Sequence, residues 1–167
     1  MTAPAVTAEP IAEPDGYKSS DYRSPVPTSL KGARVVAKEE AKALWDAKSA
    51  IFIDVFPRAP RPENLPKGTV WRDVPHDSIA GAVWMPNVGH GVLAPPVEEY
   101  FTTRLQQLSA GDKSKPLVFF CLRNCWMSWN AAKRALGYGY TNVIWFPDGN
   151  DGWQELPADL VKVQPLP

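Results

Sequence analysis

The sequence predicts an α/β fold: a mostly parallel central sheet flanked by helices, with long Pro-rich loops. Three observations carry this. Residues 50–56 (AIFIDVF), 117–121 (LVFFC) and 142–146 (NVIWF) are short, nearly continuous apolar runs, the pattern of strands covered on both faces. An amphipathic helical stretch separates the last two, so strand, helix and strand form a right-handed βαβ unit with parallel strands. The 167 residues, 44% apolar and 22% charged, suffice for one domain of ordinary size with its own core.

In chain order, residues 1–30 are rich in Ala, Pro, Glu and Ser and show no helical or strand period, so they read as a flexible or extended arm. Residues 31–167 form the domain. A short strand is expected at Val35-Val36. A helix follows at 38–47, with Ala41, Leu44 and Trp45 on one face. Residues 57–75 hold five prolines and no period, which predicts a long loop of the kind that forms lids or binding loops. A short strand at 82–85, a second Gly/Pro-rich loop at 86–97 and a helix at 98–110 come next. The helix would group Tyr100, Phe101, Leu105 and Leu108. The helix of the βαβ unit spans 128–136, with Trp129, Ala132 and Leu136 in register, and Gly137 and Gly139 stop it.

Eighteen basic and eighteen acidic side chains leave no net charge, which argues against a nucleic-acid binder. No apolar run reaches the ~18 residues of a membrane span. The N-terminus lacks the basic start and apolar core of a signal peptide, as a mature exported chain also would.

Cys121 and Cys125 are the only cysteines. Cys121 ends a parallel strand and precedes a helix, the place where open α/β sheets bind ligands. The turn presents backbone N–H groups without internal partners, and the helix dipole adds positive potential. Both favour a thiolate, so Cys121 is expected to be acidic and nucleophilic. Cys125 lies in the same field. The pair is a candidate reversible disulfide, persulfide relay or soft-metal clamp. A structural staple is the weaker explanation: closing so small a loop is worth about 2 kcal/mol before strain, against ~3 kcal/mol for fifteen residues.

Several phrases resemble the rhodanese family in shared order: Ile53-Asp54-Val55, then Ile79-Ala80-Gly81-Ala82 through Pro86, then Gly139-Tyr140-Thr141-Asn142-Val143, then Phe146-Pro147-Asp148-Gly149 and Trp153. Cys121 falls where that family keeps its persulfide-carrying cysteine. More narrowly, Glu13-Pro14-Asp15-Gly16-Tyr17, the run 57–62 (PRAPRP) and Cys125-Trp126-Met127-Ser128-Trp129-Asn130 resemble the rhodanese-like group with a C-x-x-C-W motif, associated with catabolism dependent on pyrroloquinoline quinone (PQQ). Three residues, not two, separate the cysteines here. The resemblance implies a rhodanese-like fold and a periplasmic protein. It also implies a partner in a PQQ-dependent alcohol dehydrogenase or cytochrome system, as in methylotrophy.

Where a sulfurtransferase loop normally carries an anion-clamping Arg, this chain has Trp126. Phe56 stands where an Arg often follows the aspartate motif. Exchanging a guanidinium for an indole removes a bidentate clamp and adds an apolar wall, which favours two-cysteine thiol chemistry over thiosulfate or phosphate chemistry. The expected roles are Cys121 as nucleophile, Cys125 as resolving thiol and Arg123 as the cation that lowers the thiolate pKa. Trp126, Asn124, Asp54 and Met127 are candidate binding residues, with Trp126 exposed and Trp129 in the core. Asp54 would either act as a base or hold loop N–H groups. No resident cofactor is expected. The alternatives are a Cu(I) module using Cys121, Cys125 and His76, with His90, Met85 and Met127 as further soft or nitrogen donors, and a catalytically silent partner-binding domain. Asp148, Asn150 and Asp151 read as a hydrogen-bonded turn rather than a calcium site.

Overall fold

The computed structural model describes residues 10–59, 61–72 and 74–167, so the first nine residues of the arm, and Pro60 and Asp73 of the long loop, lie outside the described residues. Five parallel strands form the central sheet: β1 (Arg34–Val35), β2 (Ile51–Asp54), β4 (Val83–Trp84), β5 (Leu117–Phe120) and β6 (Val143–Phe146). Their order is β1-β6-β5-β2-β4. The helices are α1 (Lys38–Asp46), α2 (Pro95–Ser109), α3 (Trp126–Gly137) and α4 (Gly149–Gln154). A second, antiparallel pair joins β3 (His76–Ile79) to β7 (Leu160–Val163).

Strand alternation sorts the core into two layers. Ile53, Leu117, Phe119, Val143 and Trp145 face one side and meet Phe101 and Leu105 of α2 and Trp129, Ala132 and Ala135 of α3. Phe52, Val118, Phe120, Ile144 and Phe146 face the other and meet Ala41 of α1, Ile79 of β3 and Trp153 of α4. Period-2 geometry on a sheet covered on both sides requires apolar residues at every position, which is why these strands lack the usual polar alternation.

The α/β expectation holds, with differences at the edges. Helix α2 starts at Pro95, three residues before the expected Glu98. Two prolines in a first turn forfeit no hydrogen bonds, since those N–H groups have no partner in any helix. Helix α3 likewise starts at Trp126 rather than Ser128. Strands β3 and β7 and helix α4 have no counterpart in the sequence reading. The two strands carry mixed polarity and pair across some eighty positions of chain. The six residues of α4 include two glycines, poor helix formers by about 1 kcal/mol each.

From residue 10 to residue 30 the arm has no helix or strand, bends at several points, and is packed along α3 and the 86–94 loop. Buried Asn130 accepts the Lys18 N–H (3.0 Å) and donates to the carbonyls of Lys18 (2.8 Å) and Gly89 (2.9 Å). Lys133 donates to the carbonyls of Pro14, Asp15 and Gly16. Gly91 has room only for hydrogen, because a Cβ there would stand 2.4 Å from the Lys18 carbonyl oxygen. Leu30 enters the core at the arm's end.

Asn130→Ala leaves the backbone groups of Lys18 and Gly89 without these partners. It is expected to cost about 1–3 kcal/mol in urea unfolding and to open residues 10–25 to protease, read by mass spectrometry. Unchanged stability with an intact arm would refute this role for Asn130.

Candidate active site

Strand β5 delivers Cys121 to the carboxyl edge of the sheet, and the turn 122–125 returns the chain to the start of α3. Asn124 makes that return in the left-handed region (φ +54°), which Asn tolerates better than most residues. The turn brings the two sulfur atoms to 2.8 Å, both as free thiols. A disulfide bond of ~2.05 Å therefore needs less than about 1 Å of movement. Behind the turn, Gly149 (φ +52°) lies so close that a Cβ would sit 2.0 Å from the Cys121 carbonyl oxygen, and Asn150 N–H donates to that oxygen at 2.9 Å. Helix α4 thus backs the cysteine loop directly.

The acidity falls on Cys125 and not on Cys121, contrary to the sequence expectation. Burial pushes the Cys121 thiol well above its ordinary value, reinforced by its neighbour Cys125 and by the Asp54 carboxylate. Cys125 is brought down to about 7, chiefly by the Cys121 thiol donating to its thiolate, against an opposing effect of burial. The Met127 and Leu122 backbone N–H groups and the Arg23 guanidinium add to the lowering. Cys125 is the N-cap residue of α3 and so faces the helix's partnerless N–H groups. Cys121 sits one step back, at the strand end.

Arg123 is not the thiolate's counter-ion. Its guanidinium pairs with Asp148 (3.1 Å) and Glu155 (2.6 Å), while its backbone N–H donates to Asp151 at 2.9 Å. The turn read at 148–151 therefore clasps the cysteine loop. The cation near the sulfurs is Arg23, from the arm, which the sequence reading did not single out. Nothing in the local pattern of an irregular segment reveals which distant loop it will cover.

Trp126 is 3% exposed, not the exposed stacking residue expected. Its indole N–H donates toward Ser24 Oγ and the Pro25 carbonyl oxygen, both at 3.1 Å, and its backbone N–H donates to the Tyr22 carbonyl oxygen at 2.8 Å. Its ring meets Trp129 edge-on, and Trp129 is fully buried as expected. Asn124 is exposed and shapes the turn.

Asp54 is fully buried at the end of β2. It accepts the Phe56 N–H (2.8 Å), which is the loop-holding role, and pairs with His76 Nε2 at 2.6 Å. Asn150 Nδ2 donates to it at 3.3 Å. The His76 ring stacks on Phe56 and lies tilted against Trp84, and it does not line the cleft over the sulfurs. Among the described residues, no three His, Cys, Asp or Glu side chains are grouped to hold a metal ion.

A cleft of about 480 Å³ opens over the two sulfurs, lined by Tyr22, Arg23, Phe56, Pro57, His90 and Met127, with Asp21 beside them. Met127 alone of the four candidate binding residues lines it. The Tyr22 hydroxyl accepts the Gly91 N–H at 3.0 Å, pinning the arm across one side. Burial, and to a lesser degree nearby Arg134, hold the pKa of His90 below its ordinary value and so favour the neutral ring.

No protein-family model and no curated protein sequence matches the chain. A thiosulfate sulfurtransferase from Pseudomonas aeruginosa is similar in structure, with TM-score 0.53, 21% identity and coverage of 80% of this chain. This chain spans only 21% of that protein's length. A polysulfide-sulfur transferase homodimer from Wolinella succinogenes matches with TM-score 0.46 and 17% identity over 78% of this chain and 79% of its own. The chain carries a rhodanese-like α/β fold.

Alkylation of the reduced protein across pH, read by peptide mass spectrometry, is expected to label Cys125 first, with a half-point near pH 7. The rate should fall about tenfold per pH unit below that as the thiolate protonates. Folding lowers the Cys125 value, so the thiolate adds stability above the free value of ~8.5 and loses that increment as pH falls through the folded value. Arg23→Gln should raise the half-point, and Arg123→Gln should leave it in place. A half-point near the free-thiol value in the wild type would contradict this electrostatic account.

Proposed function

We propose that the protein performs thiol–disulfide exchange, with Cys125 as the nucleophile and Cys121 as the resolving thiol. One observation carries this reading: two free sulfurs 2.8 Å apart, driven to opposite acidities, at the floor of an open cleft. The Cys125 thiolate attacks one sulfur of a bound disulfide; the new S–S bond forms as the old one breaks, and the far half leaves as a thiolate. That thiolate takes the proton of Cys121. Cys121 then attacks the Cys125 sulfur and expels the second half. The two cysteines are oxidised to a disulfide and the substrate is reduced to a thiol and a thiolate, the latter taking its proton from water.

A second reading, persulfide transfer, draws support from the fold shared with a thiosulfate sulfurtransferase. The Cys125 thiolate would attack the sulfane sulfur of thiosulfate, expelling sulfite and leaving a persulfide on Cys125, and Cys121 would then attack the Cys125 sulfur, forming the disulfide and expelling hydrosulfide. Exchange is favoured because the resolving sulfur is already in place. The sequence resemblance supports placing the reaction in the periplasm, serving PQQ-dependent alcohol oxidation through a dehydrogenase or cytochrome partner.

Cys121→Ser is expected to stop the reaction at a stable mixed disulfide on Cys125, seen as an added half-substrate mass that dithiothreitol removes. Cys125→Ser should form no adduct at the same pH. An adduct confined to Cys121 in the Cys125→Ser protein would reverse the assignment, and no adduct in either variant would remove the exchange mechanism.

A further inference from the structure

On the exchange reading above, the substrate's class can be narrowed from the cleft's walls. The side chains around the sulfurs include Tyr22, Phe56, Pro57, His90 and Met127, four of them uncharged by nature and the half-buried imidazole biased toward its neutral form. The only cation among them is Arg23, which is exposed and has the carboxylate of Asp21 two residues away. Of the other donors near the loop, the Tyr22 O–H, the His90 ring N–H and the Met127 N–H are single neutral groups and form no bidentate anion clamp, and three more are committed elsewhere. Arg123 is held by Asp148 and Glu155. The Trp126 indole N–H is turned to Ser24 and Pro25, and its backbone N–H to Tyr22. Arg134 donates to the carbonyls of His90 and Gly91. A small dianion entering here would give up hydration against hydrocarbon and aromatic surface, with no bidentate clamp to replace it. An apolar substituent would instead leave water for matching surface.

We infer that the cleft selects an organic disulfide carrying an uncharged apolar group beside its sulfur–sulfur bond, over thiosulfate and over disulfides flanked by carboxylates. Such a group packs against the apolar lining of the cleft, Phe56 and Pro57 among it, and presents the nearer sulfur to Cys125. The substituent can belong to a small molecule or to a polypeptide; the cleft reads the same chemistry in both.

The test is single-turnover oxidation of the reduced full-length chain by four probes at one pH. They are a peptide disulfide flanked by Phe, its counterpart flanked by Glu, 2,2′-dithiodipyridine and thiosulfate, the last followed by sulfite release. Each rate is divided by that of N-acetylcysteine with the same probe, which removes intrinsic reactivity. The Phe-flanked peptide, the dipyridine or both should exceed the Glu-flanked peptide by at least about tenfold, and thiosulfate should not exceed it. An advantage of the peptide over the dipyridine points to a polypeptide source, and the reverse to a small molecule. Phe56→Ser should narrow the ratio to below about threefold, and the wild-type series decides the matter if that variant does not fold. Equal normalised rates, or faster reaction with the Glu-flanked peptide or thiosulfate, overturn the inference while leaving exchange intact. Failure of every disulfide to oxidise the pair overturns the exchange mechanism and this inference with it.

Discussion

Two sulfur atoms 2.8 Å apart in a buried site cannot both be anions. The first charge makes the second far more costly, so the pair keeps at least one proton on its two sulfurs and titrates as a unit. What the surrounding structure decides is which sulfur ionises. Cys121 is still part of the sheet edge: its own carbonyl is engaged by Asn150, and the nearest carboxylate opposes a negative charge on its sulfur. Cys125 has reached the start of α3, where backbone N–H groups face outward with no carbonyl to meet them. Three residues of chain separate a place that penalises charge from a place that rewards it.

That contrast needs an exact arrangement of the orphan amides. Of the first N–H groups of α3, that of Trp126 is taken by the Tyr22 carbonyl, while that of Met127 is left to favour the Cys125 thiolate. The arm therefore takes part in dividing the helix's donors between the protein's own backbone and the sulfur. Its hold on α3 runs through Asn130, whose side-chain amide both accepts from and donates to the backbone of Lys18, as a neighbouring strand would. On the opposite side, Gly149 lets α4 close against Cys121 where any larger residue would push the strand end away. The sulfurs are fixed from two directions by segments that belong to neither β5 nor α3.

The parts of this fold legible in the sequence were those written in local periodicity. Strands β2, β5 and β6 are covered on both faces and so read as apolar runs, and α3 shows its buried stripe directly. The juxtaposition of Cys121 and Cys125 followed from the same βαβ logic. What escaped was set by long-range contact. Strands β3 and β7 become strands by pairing with each other. Helix α4 is held by its packing on the cysteine loop, with Trp153 as its anchor. The direction of the acidity is likewise not legible locally, because a helix terminus by itself puts both cysteines in one field. The N-cap position separates them: the backbone donors that favour a charged sulfur face Cys125, and burial dominates at Cys121. Arg123 looked like the cation for the site because it stands in the loop, yet three nearby carboxylates claim it.

Trp126 changes the character of the site more than any other residue in the loop. Where a guanidinium would place positive charge inside the turn, the indole is buried against Trp129 and turns its N–H toward the arm. Positive charge near Cys125 then comes from Arg23, one position past the residue whose carbonyl caps Trp126. Electrostatic support for the thiolate thus becomes divided between the helix backbone, which is permanent, and the arm, which is held by a set of hydrogen bonds of ordinary strength. Each such bond is worth about 1 kcal/mol net, so the arm's grip is a sum over Asn130, Lys133 and Trp126 rather than a single lock. A loop built this way forms its nucleophile from the βαβ unit and completes the walls of its cleft only when residues 17–25 are in place. The constraint that one sulfur must stay protonated is met by the core of the fold; the shape and polarity of what that sulfur meets are met by the arm.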